Sequence, residues 1–224
     1  MPNPTCRRFT QPGDIEVVEN FKSHYGVDVN TVPGDAGPPL HEERIATPFN
    51  DVNVIYTDRD GVIRLGSMYW QLVQPWNRDL ESRYTCFNTR KESLSRRHKE
   101  PLLRHHRCIL PVKSFFETRK IGGKPVKPRE AYEFRLKDRG LIALGGIYAV
   151  WVDAEDPEDR RYSCSIITLE PNEIIAEVHD RMPLVLPEES VKTWPDPRFT
   201  DFDEVMELIE PVAPEVLERR QEAR

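Results

Sequence analysis

Apolar residues in the middle of the chain alternate with polar ones or run together over short stretches, which is typical of strands. Residues 52–57 (VNVIYT) and 62–65 flank the turn sequence DRDG, and together they predict a β-hairpin. Further strands are predicted at residues 108–112, 131–136, 141–151 and 162–169. The last two are too apolar for surface strands, so we expect them at the centre of the sheet.

Helical spacing is confined to three stretches. The first, residues 14–25, carries apolar residues on one face, namely Ile15, Val18 and Phe21. The second, residues 171–178, opens with a proline suited to a first helical turn. The third begins at residue 201 within the acidic segment 195–224, which we therefore expect to be a helical extension.

Proline and glycine predict three loops, at residues 31–48, 120–128 and 153–160. The first of these is interpreted as one long ordered loop inside a domain. Because strands and helices do not alternate as βαβ units, the pattern favours a single α+β domain over residues 1–224. Its sheet should be mostly antiparallel and barrel-like, flanked by helices.

Composition narrows the class of protein further. Of the 224 residues, 38% are hydrophobic and 31% charged, and the net charge of -6 is too small to force disorder. No apolar run is long enough to span a bilayer, and the N-terminal sequence lacks the apolar core of a secretory signal. We therefore expect a cytoplasmic protein with reduced thiols and no membrane partner.

Charge is distributed unevenly along this acidic chain. Residues 81–119 contain 10 Lys or Arg against 4 Asp or Glu, whereas residues 184–224 contain 5 against 11. The basic stretch is either a solvated face or a site for a polyanion, since Lys and Arg that neutralise phosphates supply most non-specific affinity for nucleic acids.

Two segments offer a nucleophile and an acid. Cys6 precedes Arg7 and Arg8, and adjacent positive charge lowers the pKa of a thiol, although an ordinary surface cysteine would fit as well. Glu117 follows two aromatic residues at the end of a strand. Burial there would raise its pKa toward the range of a general acid, while an exposed edge position would not.

Two further segments offer polar groups. A strand would place Asn88 and Arg90 on one face, where they could hold a substrate oxygen and a phosphate; a solvated turn fits equally well. His179 stands beside Asp180 at the end of a predicted helix and is a candidate acid or base.

No metal or cofactor signature accompanies these residues. The cysteines lie far apart without a Cys-x-x-Cys pair, and the chain lacks the glycine motifs of nucleotide-binding loops. We expect no metal and no cofactor.

Taken in order, these segments resemble the motifs of the SRAP family (SOS response-associated peptidase), the abasic-site-processing proteins. Any one motif is weak, but five in the right order, from residue 6 to about residue 194, make a specific match. The matching segments are residues 6–9 (CRRF), 70–76 (WQLVQPW), 88–93 (NTRKES), 107–118 (RCILPVKSFFET) and 178–186 (VHDRMPLVL).

The resemblance implies binding to single-stranded DNA at an abasic site. It further implies that the cysteine forms a thiazolidine with the opened sugar, which makes a covalent DNA–protein crosslink. By position, Cys6 is the nucleophile, Asn88 orients the cysteine and the sugar, Glu117 shuttles protons, and His179 assists ring opening and release.

The same resemblance implies a surface for the DNA strand. Arg8, Arg90 and Arg181 are expected to hold phosphates, and Trp70 is expected to pack against a base. We expect a monomer whose partner is single-stranded DNA and which associates with the nucleoid when DNA is damaged.

One departure from the family pattern leaves three hypotheses open. The family cysteine follows the initiator Met, whereas here residues 2–5 precede Cys6, and a thiazolidine needs the α-amine and the thiol of one residue. Autoproteolysis before Cys6, or a different start of the chain, would restore the crosslinking chemistry. Alternatively, the protein binds DNA without that chemistry, or it is a thiol peptidase or esterase that uses Cys6 and His179.

Overall fold

The computed structural model describes residues 6–31, 40–77, 85–121, 124–125, 130–138 and 140–222, and all structural statements below concern these residues. Their strands are β1 (Phe9–Gln11), β2 (Asn30–Thr31), β3 (Arg44–Ala46), β4 (Asp51–Thr57), β5 (Ile63–Trp70), β6 (Asn88–Arg90), β7 (Arg107–Val112), β8 (Ser114–Thr118), β9 (Lys120–Ile121), β10 (Lys124–Pro125), β11 (Ala131–Leu136), β12 (Ile142–Val152), β13 (Arg160–Leu169), β14 (Met182–Pro183) and β15 (Leu217–Gln221). Their helices are α1 (Asp14–Ser23), α2 (Glu100–His105), α3 (Glu173–Ala176), α4 (Glu188–Val191) and α5 (Phe202–Glu207), with 3-10 turns at Lys91–Ser93 and Pro214–Val216.

Five strands close into a barrel at the centre of the molecule. In the order β13, β12, β7, β4 and β5, each strand pairs antiparallel with the next. The barrel closes through a parallel pairing of β5 with β13, in which Tyr69 lies opposite Ser163. The predicted α+β fold with a mostly antiparallel barrel is confirmed, and so is the central place of the two most apolar strands, β12 and β13.

The predicted hairpin forms β4 and β5 of this barrel. Asp58 shapes its turn, because the side-chain oxygen Oδ1 accepts hydrogen bonds from the backbone N–H of Asp60 and Val62. Gly61 adopts a φ of 77°, which glycine tolerates more readily than other residues. Asp58 also pairs with Arg64 at 2.6 Å.

A second sheet packs beside the barrel and positions two of the candidate site residues, Cys6 and Glu117. Its strand order is β15, β11, β8, β1 and β3. The pairing of β1 with β8 is antiparallel and sets Phe9 opposite Phe115. Cys6, just before β1, is thereby brought close to the end of β8, where Glu117 lies.

The helices and loops differ from their predictions in several places. In α1 the buried residues are Val17 and Phe21, whereas Ile15 is 70% exposed, so its predicted place on the apolar face is wrong. The helix α3 is capped by the side chain of Asn172, which leaves Pro171 outside the helix. The loops predicted at residues 31–48 and 120–128 contain β3 and the short β9–β10 hairpin, and they lie partly outside the described residues.

The acidic C-terminal segment is not mainly helical. Asp201 caps α5 by accepting from the N–H groups of Asp203 and Glu204. After this short helix the chain forms β15, which pairs antiparallel with β11 and completes the edge of the second sheet. Backbone pairing with an available sheet edge outweighs the weak helical spacing of so charged a segment.

Arg107 fastens this segment to the barrel. The guanidinium is buried and donates to five backbone carbonyl groups, those of Leu103, Arg104, Trp194, Asp196 and Phe199. The burial lowers the pKa of Arg107 to about 10, and the charge of Asp196 opposes the shift. A planar group with five donors suits this arrangement better than any other cation.

We expect Arg107→Lys to destabilise the protein by about 2 kcal/mol, because a single ammonium group cannot reach carbonyls on several sides and leaves some unpaired. Urea unfolding measures the effect. Arg104→Lys is the matched control, since Arg104 is half-exposed and bonds chiefly to Glu100 and the Thr200 carbonyl. Equal losses in the two variants would contradict the role assigned to Arg107.

Candidate active site

Glu117 lies at the centre of the site because the alternation of β8 turns it inward together with Phe115. Its side chain is only 5% exposed. Burial raises the pKa of Glu117 to about 8, although the Cys6 N–H and the charge of Lys120 act in the opposite direction. The carboxyl group is therefore largely protonated at neutral pH, as its place after two aromatic residues predicted.

Cys6 donates its backbone N–H to Glu117 Oε1 at 2.6 Å. Its φ of 43° is unusual for a residue with a side chain, and such strain is more common at functional sites than elsewhere. The side chain is fully buried, which excludes the surface cysteine considered from the sequence.

The prediction that the neighbouring arginines lower the pKa of the Cys6 thiol is wrong. Burial raises the pKa of the Cys6 thiol well above its ordinary value, and the nearby charge of Glu117 raises it further. Arg7 is exposed. Arg8 is drawn to Phe116, whose ring centre lies 4.1 Å away, and to Glu222 at 2.6 Å. The thiol therefore stays protonated in this arrangement.

His179 approaches Glu117 from the segment that follows α3. Its Nε2 lies 3.7 Å from Glu117 Oε2 and contacts Lys120 Nζ. On the other side of the ring, Nδ1 lies 3.1 Å from both Asp180 Oδ1 and the backbone nitrogen of Arg181. Burial and the charge of Lys120 lower the pKa of His179, so the ring is neutral at physiological pH.

Asn88 reaches the site from β6, which pairs in parallel with β13. Its Nδ2 donates to the Cys6 carbonyl at 3.5 Å. Thr89 points inward to Ser165 Oγ at 2.9 Å, so Asn88 and Arg90 share the opposite face, as strand alternation predicted. The solvated turn that was the alternative for this segment is excluded.

The four residues predicted to be catalytic thus form one connected group. Asn88 contacts Cys6, Cys6 contacts Glu117, and Glu117 faces His179. Because Nε2 of His179 faces Glu117 and Lys120, the group centres on a proton-bearing carboxyl rather than on a thiolate–imidazole pair. This arrangement favours proton transfer near the Cys6 nitrogen.

Two of the residues predicted to contact DNA have other roles. Arg181 is buried and donates to Glu92, to Glu170 and to the Thr168 carbonyl, so its guanidinium already ties β13 to the turn after β6. It is not presented to a phosphate, and the prediction for this residue is wrong.

Trp70 is the second of these. Its side chain is fully buried, with Nε1 donating to the Phe87 carbonyl at 2.9 Å and the ring packed 4.7 Å from that of Phe9. The residue cannot stack on a base from this position. The aromatic ring exposed near the end of the same motif is Trp76, which is 62% exposed and meets His98 edge to face.

The site predicted from the sequence did not include two residues that the structure makes candidates, Trp76 and Lys120. The signal for Trp76 was its place after Pro75, in a turn outside the strand that buries Trp70. Lys120 was assigned to a glycine-rich loop, although it lies only three residues after Glu117.

In the described parts of the chain, no three His, Cys, Asp or Glu residues are grouped closely enough to hold a metal ion. The helices found there are also too short or too polar to cross a bilayer.

Fold and site together define an α+β barrel protein with a buried cysteine whose backbone N–H donates to a buried carboxyl group of raised pKa. The chain belongs to the SOS response associated peptidase (SRAP) family, which it matches over residues 6–221. The match therefore includes the C-terminal segment that the short motifs did not cover.

Similar proteins agree with this assignment. Abasic site processing protein YoqW of Bacillus subtilis is 32% identical over 209 residues, covering 92% of this chain and 87% of YoqW. Abasic site processing protein HMCES of Gallus gallus is 25% identical over 211 residues, 85% of this chain and 60% of HMCES. A crystal structure from Bacteroides thetaiotaomicron shares the fold with a TM-score of 0.78 at 22% identity, covering 96% of this chain and 91% of the other.

Proposed function

We propose that the protein recognises abasic sites in single-stranded DNA and joins them covalently through Cys6. The observation that carries this proposal is the bond from the Cys6 nitrogen to Glu117, a buried carboxyl that is largely protonated at neutral pH. An acid at this nitrogen is suited to reactions in which an amine adds to an aldehyde and water leaves. The relatives named abasic site processing proteins support the choice of substrate.

The chemistry first requires a free amine on Cys6. In the sequence Cys6 follows Thr5, so its nitrogen belongs to a peptide bond. Hydrolysis of that bond consumes one water, leaves a carboxyl group on Thr5 and releases the Cys6 α-amine. Glu117 lies where it can give a proton to the departing nitrogen.

The freed cysteine then closes a ring on the sugar. The amine adds to the aldehyde carbon of the opened abasic sugar, and water leaves to give an imine. The thiol sulfur adds to the imine carbon, and a proton ends on the nitrogen, so the two steps release one water overall. Glu117 supplies the proton to the departing hydroxyl group and accepts the proton of the thiol, whose raised pKa requires such a base.

The DNA strand is proposed to pass over the exposed groups around this site. Arg8 and Arg90 are accessible cations beside Cys6 and Asn88, and exposed aromatic rings such as Trp76 offer platforms for bases. Arg90 belongs to the basic stretch at residues 81–119, and Trp76 precedes that stretch in the sequence. Binding should therefore weaken as salt is raised.

Two single-stranded oligonucleotides that differ only by one abasic site test the proposal. The abasic strand should give a complex that survives heating in detergent, and the protein in that complex should begin at Cys6 by intact mass. The intact strand should give only salt-sensitive binding. Salt-sensitive binding to both strands without a stable complex would support the non-covalent alternative instead.

Glu222 competes with DNA for Arg8. Its backbone nitrogen is fixed to the Ala131 carbonyl at 2.9 Å, which holds the carboxylate 2.6 Å from Arg8 Nη2. A phosphate must displace this ion pair before it can bind the same guanidinium. Since exposed pairs of this kind contribute about 0.2–1 kcal/mol, we expect Glu222→Gln to tighten binding to single-stranded DNA about 1.4- to fivefold at low salt.

Fluorescence anisotropy with a labelled oligonucleotide measures this change. The matched control is Glu218→Gln, which removes the same charge from β15, the strand that ends just before Glu222, but from a carboxylate paired with Arg220. If both variants gained affinity equally, net charge rather than competition at Arg8 would be the cause.

A further inference from the structure

Lys120 is a lysine that the proposed function leaves unused and that lies inside the site. Its backbone nitrogen donates to the Val178 carbonyl at 2.9 Å, which fixes β9 beside the segment that carries His179. Its side-chain nitrogen contacts His179 Nε2. Lys120 is only half-buried, whereas Cys6, Glu117 and His179 are buried. A ligand can therefore reach this amine more readily than the cysteine.

The contact with His179 permits Lys120 to be a neutral amine. Where the Arg181 N–H donates to Nδ1, the ring proton lies on Nε2, and Lys120 Nζ must accept it through a lone pair. Where Nδ1 instead donates toward Asp180, Nε2 accepts from a protonated Lys120. The first arrangement holds one proton fewer than the second, so the neutral amine forms when Lys120 loses a proton to solvent and the ring proton of His179 moves from Nδ1 to Nε2.

The surroundings of Lys120 favour the neutral form of its amine more than full exposure to solvent would. Burial is the largest influence and lowers the pKa of Lys120, and the charge of Arg7 lowers it further. Glu117 and Asp180 act in the opposite direction without cancelling the effect. Lysines in such settings form Schiff bases with carbonyl compounds.

We propose that Lys120 is a second nucleophilic amine of the site, which condenses with the aldehyde of an opened sugar to give an imine. The nitrogen lone pair adds to the aldehyde carbon, the carbonyl oxygen takes up protons and leaves as water, and a C=N bond remains. Glu117, 3.7 Å from His179, is the acid at hand for the departing oxygen. Hydrolysis reverses the step, and because the step does not use the Cys6 nitrogen it does not require cleavage before Cys6. The choice of sugar rests on the proposed function, whereas the reactivity toward aldehydes does not.

Reductive trapping tests this inference. The full chain is incubated with single-stranded DNA carrying one abasic site, with and without sodium cyanoborohydride, which reduces an imine to a stable secondary amine. We expect an additional heat-stable adduct with the reductant, which peptide mass spectrometry places on Lys120. Lys120→Arg should reduce this adduct at least tenfold, and Cys6→Ala should retain it.

Lys124→Arg is the matched control because Lys124 is exposed on the adjoining strand β10, and it should trap as well as the unchanged protein. Thermal unfolding confirms that each variant is folded. A reductant-dependent adduct that maps only to residues other than Lys120, or that survives Lys120→Arg at full yield, would overturn the inference.

A second arm separates this inference from the proposed function. Formaldehyde with cyanoborohydride methylates reactive lysines without DNA, and Lys120 should react faster than Lys124 near neutral pH. Slower methylation of Lys120 would overturn its reactivity. Faster methylation of Lys120 without any adduct on abasic DNA would show that the amine is reactive. It would nevertheless contradict the proposed substrate, and with it the imine between Lys120 and the opened sugar.

Discussion

Replacing Cys6 with alanine should lower the yield of the heat-stable complex with abasic single-stranded DNA at least 100-fold in the absence of a reductant. The ring requires both the nitrogen and the sulfur of this residue, and alanine supplies only the nitrogen. An imine formed by alanine would hydrolyse during denaturation. The measurement is a denaturing gel with labelled DNA, quantified over a time course.

Cys86→Ala is the control for this result, since Cys86 is likewise a free thiol but is partly exposed and contacts Thr89 Oγ1 at 3.8 Å. It should leave the complex unchanged. Binding of the Cys6→Ala protein, measured at low salt, should stay within about twofold, because exposed cations supply most of that affinity. A stable complex formed equally well without Cys6 would rule out its role as nucleophile.

Replacing Glu117 with glutamine should slow formation of the complex about 100- to 10,000-fold, the range expected when a general acid or base is lost. Glutamine preserves the shape of the side chain and can still accept a hydrogen bond from the Cys6 N–H, but it neither gives nor takes up a proton. Initial rates on the same gel measure the effect. Glu133→Gln on the neighbouring strand β11 removes a carboxylate bonded to Arg135 and should have little influence.

The pH dependence gives a second test of Glu117. Because its pKa is raised from 4.5 to about 8, the folded protein holds this proton more tightly than the unfolded chain does. The unchanged protein should therefore lose stability relative to Glu117→Gln as pH rises from about 4.5 to about 8, with no further change above that. Steps that need the protonated acid should also slow above pH 8 in the unchanged protein only. Parallel pH profiles in the two proteins would contradict the raised pKa.

The barrel could be predicted from the sequence because its strands have strong local patterns. The apolar runs that became β12 and β13 allow few other placements, and the Asp58 turn determines the adjoining hairpin. The C-terminal strand β15 could not be predicted, since it gains its stability from pairing with β11, which is distant in the sequence.

The residues of the candidate site could be predicted from the sequence, whereas the protonation state of its groups could not. Ordered motifs identified Cys6, Asn88, Glu117 and His179, which the structure brings together. The state of the thiol depends on burial, which outweighs the charge of neighbouring arginines and cannot be read from adjacent residues.

Arg181 and Trp70 show that burial also decides whether a residue of a suitable type can contact a ligand. Their residue types suit phosphates and bases, but the structure uses Arg181 in a buried ion-pair network and Trp70 in the core. Motif membership therefore does not separate residues that contact a ligand from residues that support them.

The most direct test of the proposed covalent function is mass spectrometry of the peptide joined to abasic DNA, after nuclease and protease digestion. We predict a peptide that begins at Cys6 and carries the sugar remnant with the loss of one water, with both its nitrogen and its sulfur blocked to alkylation. A chain that still contains Thr5 bonded to Cys6, with a free Cys6 thiol and DNA held only by salt-sensitive contacts, would contradict the proposed covalent function.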